Sequence, residues 1–207
     1  NDPATTGIGP FPMNRRGLVR LSTALTYLPP VRASEGLTIL TDTRADRVLI
    51  EDGRAVGVEL TQQGATGPAT LTVAAKRVTL CAGALQTPAL LVRSGIGPAD
   101  TLRELGVPCV VDNPFVGANL QEHPGTLIHL APADPALCDP TRPAYQLGIR
   151  WSSGIGTPND LLIGLMNYWD GRADPRLAEA AGEGVSHVFA LTCGLHEPRS
   201  RGRVTVT

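Results

Sequence analysis

Two hydrophobic periods succeed one another along the chain. In "RGLVRLSTALTYL", residues 16–28, the apolar positions recur at helical spacing, and Pro29 and Pro30 close the predicted helix. From Leu37 the period shortens to two. "LTILT" reads as one strand, "DRVLI" and "AVGVEL" as a hairpin about Glu51, Asp52, Gly53 and Arg54, and "TLTVAA" as a third arm after a Gly-rich loop, residues 62–68. The unbroken apolar run "VTLCA", residues 78–82, then predicts a buried strand that ends in the nearly side-chain-free Ala82, Gly83 and Ala84. Thr87 and Pro88 carry helix-start chemistry and Gly95 helix-stop chemistry, so residues 83–98 read as bare turn, two-turn helix and tight turn. A second short helix, "ADTLREL", stops at Gly106, and "VPCVV" predicts a short strand. Beyond Gly125 the texture changes to Pro-rich loops, residues 131–143, and long apolar strands, "DLLIGLMNYW" and "VSHVFALTCGL". A domain boundary is placed near Pro124.

Composition narrows the function classes. With 42% hydrophobic residues over 207, the chain can bury a core of one domain or two small ones. A net charge of −1 and 4% aromatic residues give neither the basic footprint nor the stacking surface of a nucleic-acid binder. Lys76 is the single lysine among 18 basic residues, a bias that follows base composition before function. Cys81, Cys109, Cys138 and Cys193 share no metal-ligand or framework spacing and are expected to be reduced and buried. No apolar run reaches the ~18 residues of a membrane span, and no signal segment opens the chain, so a cytoplasmic location is the default expectation.

The Gly-Ile-Gly triplets at Gly7, Gly95 and Gly154 lack the third glycine of a dinucleotide fingerprint, because Pro12, Asp100 and Asn159 stand where it belongs. They read as turns. Ser94 lacks the G-x-S-x-G surroundings of a hydrolase nucleophile. Glu122 and His123 form an adjacent pair expected at the surface. His129, His187 and His196 sit at no metal-ligand spacing, and Arg199 and Arg201 read as turn residues rather than a substrate clamp.

"GALQTPALLVRSGIGP", residues 83–98, resembles the second signature of the glucose-methanol-choline (GMC) oxidoreductases through Gly83, Ala84, Thr87, Pro88, Leu90, Leu91 and the run Ser94 to Pro98. "RGLVRLSTALTYL", "RAVGVEL" and "VGANLQEHP" resemble neighbouring family segments in the expected order. Glu122 replaces the usual aspartate with the charge kept. The likeness runs from about Asn14 to Pro124, with "PRSRG" a further echo.

The resemblance implies an α/β, Rossmann-like FAD-binding domain with a β-meander, followed by an antiparallel-sheet substrate domain. Residues 1–22 would be an irregular lead-in crossing from the substrate domain, 23–124 part of the FAD domain and 125–207 part of the substrate domain. It also implies a piece of a longer enzyme, because the family's G-x-G-x-x-G turn and C-terminal catalytic histidine motif do not occur here. No catalytic residue is therefore expected. The cofactor-binding residues carried over are Ala45, whose backbone would meet the adenine end of FAD where the family often has valine, Ala82 and Gly83 in the bare turn, and Asn119 beside the flavin. The implied reaction is hydride transfer from a small-molecule alcohol to FAD. Substrate identity and the electron acceptor, whether oxygen, a quinone or another carrier, stay open. Two rivals stand beside it, a non-catalytic remnant or binding module without flavin, and another flavoprotein branch sharing the meander.

Overall fold

The computed structural model describes residues 5–64, 67–170 and 187–207. In chain order its elements are β1 (Gly7–Pro10), β2 (Arg15–Arg16), β3 (Val19–Arg20), α1 (Thr23–Thr26), β4 (Thr43–Glu51), β5 (Arg54–Gly64), β6 (Gly67–Ala74), α2 (Gly83–Arg93), β7 (Ile96–Gly97), α3 (Ala99–Glu104), β8 (Val111–Asp112), β9 (Ala118–Leu120), β10 (Gly125–Leu130), β11 (Tyr145–Trp151), β12 (Leu161–Asp170), β13 (His187–Leu195) and β14 (Gly202–Arg203). They form two compact units: a meander unit, Glu35–Gln121 with Ser200–Thr207, and a sheet unit, Asn1–Ser34 with Glu122–Arg199.

In the meander unit β4, β5 and β6 pair in sequence order, all antiparallel. The pattern of period two is the cause, since Val48 faces Val58 and Val58 faces Val73 across the ladder. Asp52 and Gly53 hold φ of 47° and 73°, the paired left-handed conformation whose twist suits a two-residue hairpin. Arg47 donates two bonds to Glu59 directly opposite, at 3.0 and 2.9 Å. Helix α2 packs on β4, and Val48, Leu90, Val92 and the fully buried Leu102 make the core. Sealing Leu102 alone stabilises the unit by roughly 1.5–3 kcal/mol. The side chain of Asp112 accepts the Ala99 N–H at 3.0 Å, and the following helix, α3, gives way at Gly106, as the pattern predicts.

In the sheet unit the strand order is β1-β11-β12-β13-β10, with every neighbour antiparallel. Alternation puts Ile8, Ile149, Ile163, Cys193 and Thr126 in one cross-sheet row, and Pro10, Leu147, Leu165, Leu191 and Ile128 two rows along on the same face. Met166, Val188 and Ala190 are buried on the other face. Asp160 closes the loop before β12, its carboxylate accepting from the Ser153 N–H at 2.7 Å and the Ser153 hydroxyl at 2.6 Å.

Several local expectations are corrected. Residues 16–28 hold a single helical turn, α1, because Gly17, at φ 59°, turns β2 back onto β3, and Leu18 and Val19 are exposed rather than packed as a helical face would need. Residues 37–41 and 78–82 form no strand, since neither has a ladder partner among the described residues. Helix α2 begins at Gly83, one turn before Thr87, with Pro88 inside it. Cys81 and Cys109 are exposed, and Cys193 is half-buried. Gly7 to Gly9 lies in β1 rather than a turn. Residues 185–186 of "VSHVFALTCGL" lie outside the described residues. No described helix is long and apolar enough to cross a membrane.

Candidate cofactor-binding site

The candidate site starts from the turn into α2. Ala82 occupies the cap position, and its N–H donates to the Thr87 hydroxyl at 3.2 Å. Thr87 is thus not the cap the sequence predicts, but a residue inside the helix whose hydroxyl accepts from the turn before it. Gly83 follows at φ 81°, where a branched side chain would be strained, and a Cβ built there would meet nothing within 4 Å. The turn is an open stretch of bare backbone.

Ala82, Gln86, Leu90 and Arg93 follow at helical spacing along one face of α2. Across from them stand Arg44, Ala45 and Asp46 of β4, and the two sets enclose a cleft of about 600 Å³. Here β4 bulges. Ala45 faces Leu60 and Arg47 faces Glu59, leaving Asp46 as the extra residue. Its carboxylate accepts from Thr61 at 2.5 Å and from Arg44 at 2.6 Å, and these bonds, Thr61 first, hold the carboxyl below its ordinary 3.8. Two guanidinium groups and one carboxylate leave the rim net positive. Such a rim, beside the open Gly83 turn, suits a ligand that combines a heterocycle with phosphate. The residues present thus fit the adenine end of FAD.

Ala45 and Ala82 border this one cleft, and Gly83 adjoins Ala82. Asn119 lies elsewhere in the meander unit, exposed in β9 at φ 62° and next to the β14 pairing. Gln86, Arg93, Arg44 and Asp46 escaped the sequence reading. The sequence signal for Gln86 and Arg93 is their helical spacing from Ala82, which holds only for a helix that begins at Gly83.

The sheet unit holds a smaller hollow of about 440 Å³ among Gly125, Leu127, Leu162, Thr192, Gly194 and His196. His123 and His196 stack with ring centres 4.5 Å apart and planes 8° from parallel. Burial, then the positive potential of His123 and Arg150, lowers the His196 pKa from 6.5. His129 meets Trp169 edge-on, His187 lies against Tyr168, and Arg199 donates to the Ile155 carbonyl at 2.9 Å. Among the described residues no three His, Cys, Asp or Glu side chains converge as metal ligands would.

Comparison with known proteins identifies the family. The family model described as GMC oxidoreductase matches residues 1–125. The oxygen-dependent choline dehydrogenase of Burkholderia pseudomallei is 39% identical over 152 residues, covering 70% of this chain and 26% of that protein. The 5-(hydroxymethyl)furfural oxidase of Methylovorus sp. is 38% identical over 164 residues, covering 76% and 30%. Among solved structures, pyridoxine 4-oxidase from Mesorbium loti superposes with a TM-score of 0.74 at 30% identity, over 97% of this chain and 38% of that one. The chain thus spans about a quarter to a third of the length of the curated relatives it matches. Model, relatives and fold agree that the chain belongs to the GMC oxidoreductase family, whose members are FAD-dependent flavoproteins.

Proposed function

We propose that the meander unit supplies part of the FAD-binding domain, and the sheet unit part of the substrate-binding domain, of an enzyme that oxidises the CH–OH group of a small alcohol. The observation that carries this reading is the cleft that Ala45 and Ala82 share beside the open Gly83 turn. Bound FAD would supply the acceptor for the hydride that the carbinol carbon loses.

This chain's own residues do the holding. The Ala45 backbone meets the adenine end through its peptide N–H and C=O, so alanine serves as well as valine. Arg44 and Arg93 supply positive charge at the rim. Ala82 and Gly83 would let the cofactor approach the main chain, and Asn119 would add a contact to it. None of the described residues at the cleft is placed to take the hydroxyl proton. That role falls to the family's C-terminal histidine motif, which these 207 residues do not contain. Choline, 5-(hydroxymethyl)furfural and pyridoxine, named for the relatives, are all alcohols, which supports the substrate class.

The test is to purify the full-length gene product and record its visible spectrum. Those three alcohols and simple aliphatic and aryl alcohols are then offered, with oxygen and with an artificial acceptor in separate arms. A yellow protein that turns over at least one alcohol is expected. A soluble, colourless protein that takes up no added FAD would sink the reading and favour a non-catalytic remnant.

A further inference from the structure

We infer that Arg93, from the last turn of α2, is a positioning residue that sets the backbone carbonyl of Ala45 at the adenine end of the cleft; the inference rests on the FAD reading above. The β4 bulge is its origin. In a regular strand successive carbonyls point to opposite sides, and one side chain cannot serve two in a row. The extra residue at Asp46 breaks that alternation. As a result the single guanidinium of Arg93 reaches both carbonyls, with Nε donating to Asp46 at 2.8 Å and Nη2 reaching Ala45 at 3.5 Å.

The strand's position in the sheet and four further hydrogen bonds make the arrangement a latch rather than a passing surface bond. β4 is one of the two edge strands of the meander, so among the described residues its outward carbonyls have no ladder partner to orient them. The next residue, Ser94, is buried, accepts the Val48 N–H at 2.8 Å and donates to the Leu90 carbonyl at 2.7 Å, which pins the end of α2 to β4 just beyond the bulge. From the other side Arg44 and Thr61 hold the Asp46 carboxylate. Arg93 itself is solvent-exposed, so its hydrogen bonds contribute little to folding and much to the direction of the Ala45 peptide. Its stem and Leu90 also form part of the cleft wall.

The test uses Arg93→Ala and Arg93→Lys in the full-length protein. FAD affinity of the apoprotein is read by fluorescence titration, and apoprotein stability by thermal unfolding. Losing one charge-assisted contact that orients the ligand's partner should weaken FAD binding about tenfold in Arg93→Ala. The apoprotein melting temperature should stay within about 2 °C of wild type, as for other exposed-site changes. Arg93→Lys, which restores one donor, should recover an intermediate affinity. Wild-type affinity in Arg93→Ala would overturn the proposal. So would a weakening that tracks a fall in apoprotein melting and is not relieved by lysine, because a merely structural role predicts that pattern. A wild-type protein that takes up no FAD would overturn the underlying reading instead, and this inference with it.

Discussion

At the scale of single residues, the bare turn and the buried hydroxyl make the sharpest demands. Gly83→Val in the full-length protein places a β-branched residue at φ 81° and puts two methyl groups into the open space beside Ala82. The purified variant is expected to be colourless; one with wild-type flavin absorbance would refute the reading of this turn. Ser94→Ala leaves the Val48 N–H without its partner in a buried place, and should cost about 1–3 kcal/mol in denaturant unfolding. At this scale Gly83 was named from the sixteen-residue motif that it opens, Ala82 from the bare turn just before it, and Ala45 from the family resemblance of its own segment. Arg93 and Asp46 were not, since a bulge is a property of two paired strands and leaves no mark in either strand alone.

At the scale of elements, the hairpin and the loop contacts carry the predictions. Gly53→Ala forces a Cβ onto a residue at φ 73° and should destabilise the meander by about 1 kcal/mol, read as a lowered melting temperature. The His123–His196 stack holds the loop before β10 against the one after β13. Burial, with His123 and Arg150 nearby, favours neutral His196, so its folded pKa lies below the ordinary 6.5. The unfolded chain therefore binds the proton more readily, and stability falls as pH drops through about 6.5 towards the lower folded value. Above that window the contribution is fully present. Unfolding curves at pH 5, 6, 7 and 8 should show this decline in wild type and a flatter one in His196→Gln; identical slopes would refute it. The elements whose partners are adjacent in sequence, β4 to β6 and α3, were read correctly. Residues 16–28, 37–41 and 78–82 were not, because their patterns are necessary for helix or strand but hydrogen-bonded or packed neighbours must complete them.

At the scale of the whole molecule, the 207 residues expressed by themselves are expected neither to hold FAD tightly nor to oxidise an alcohol. The cleft offers a rim and bare backbone but no glycine-rich turn onto a helix for the pyrophosphate. Visible absorbance of the purified chain, with an artificial acceptor and the alcohol panel, checks this directly. A yellow preparation with turnover would show that the chain is sufficient, and would make the His123–His196 pair the first place to look for a base.

Local chemistry in the sequence determined the meander, the glycine stops, the apolar strand runs of the second half and the family motif. Each depends on residues within a few positions of one another, where propensity and period act directly. The tertiary structure alone decided which apolar runs find ladder partners, and that α2 and the β4 bulge share one cleft. It also decided that His123 meets His196, and that an arginine at the end of a helix reaches a carbonyl 48 positions away in the chain. Contacts at that separation depend on how the chain closes its loops, and hydrophobic period carries no record of that closure.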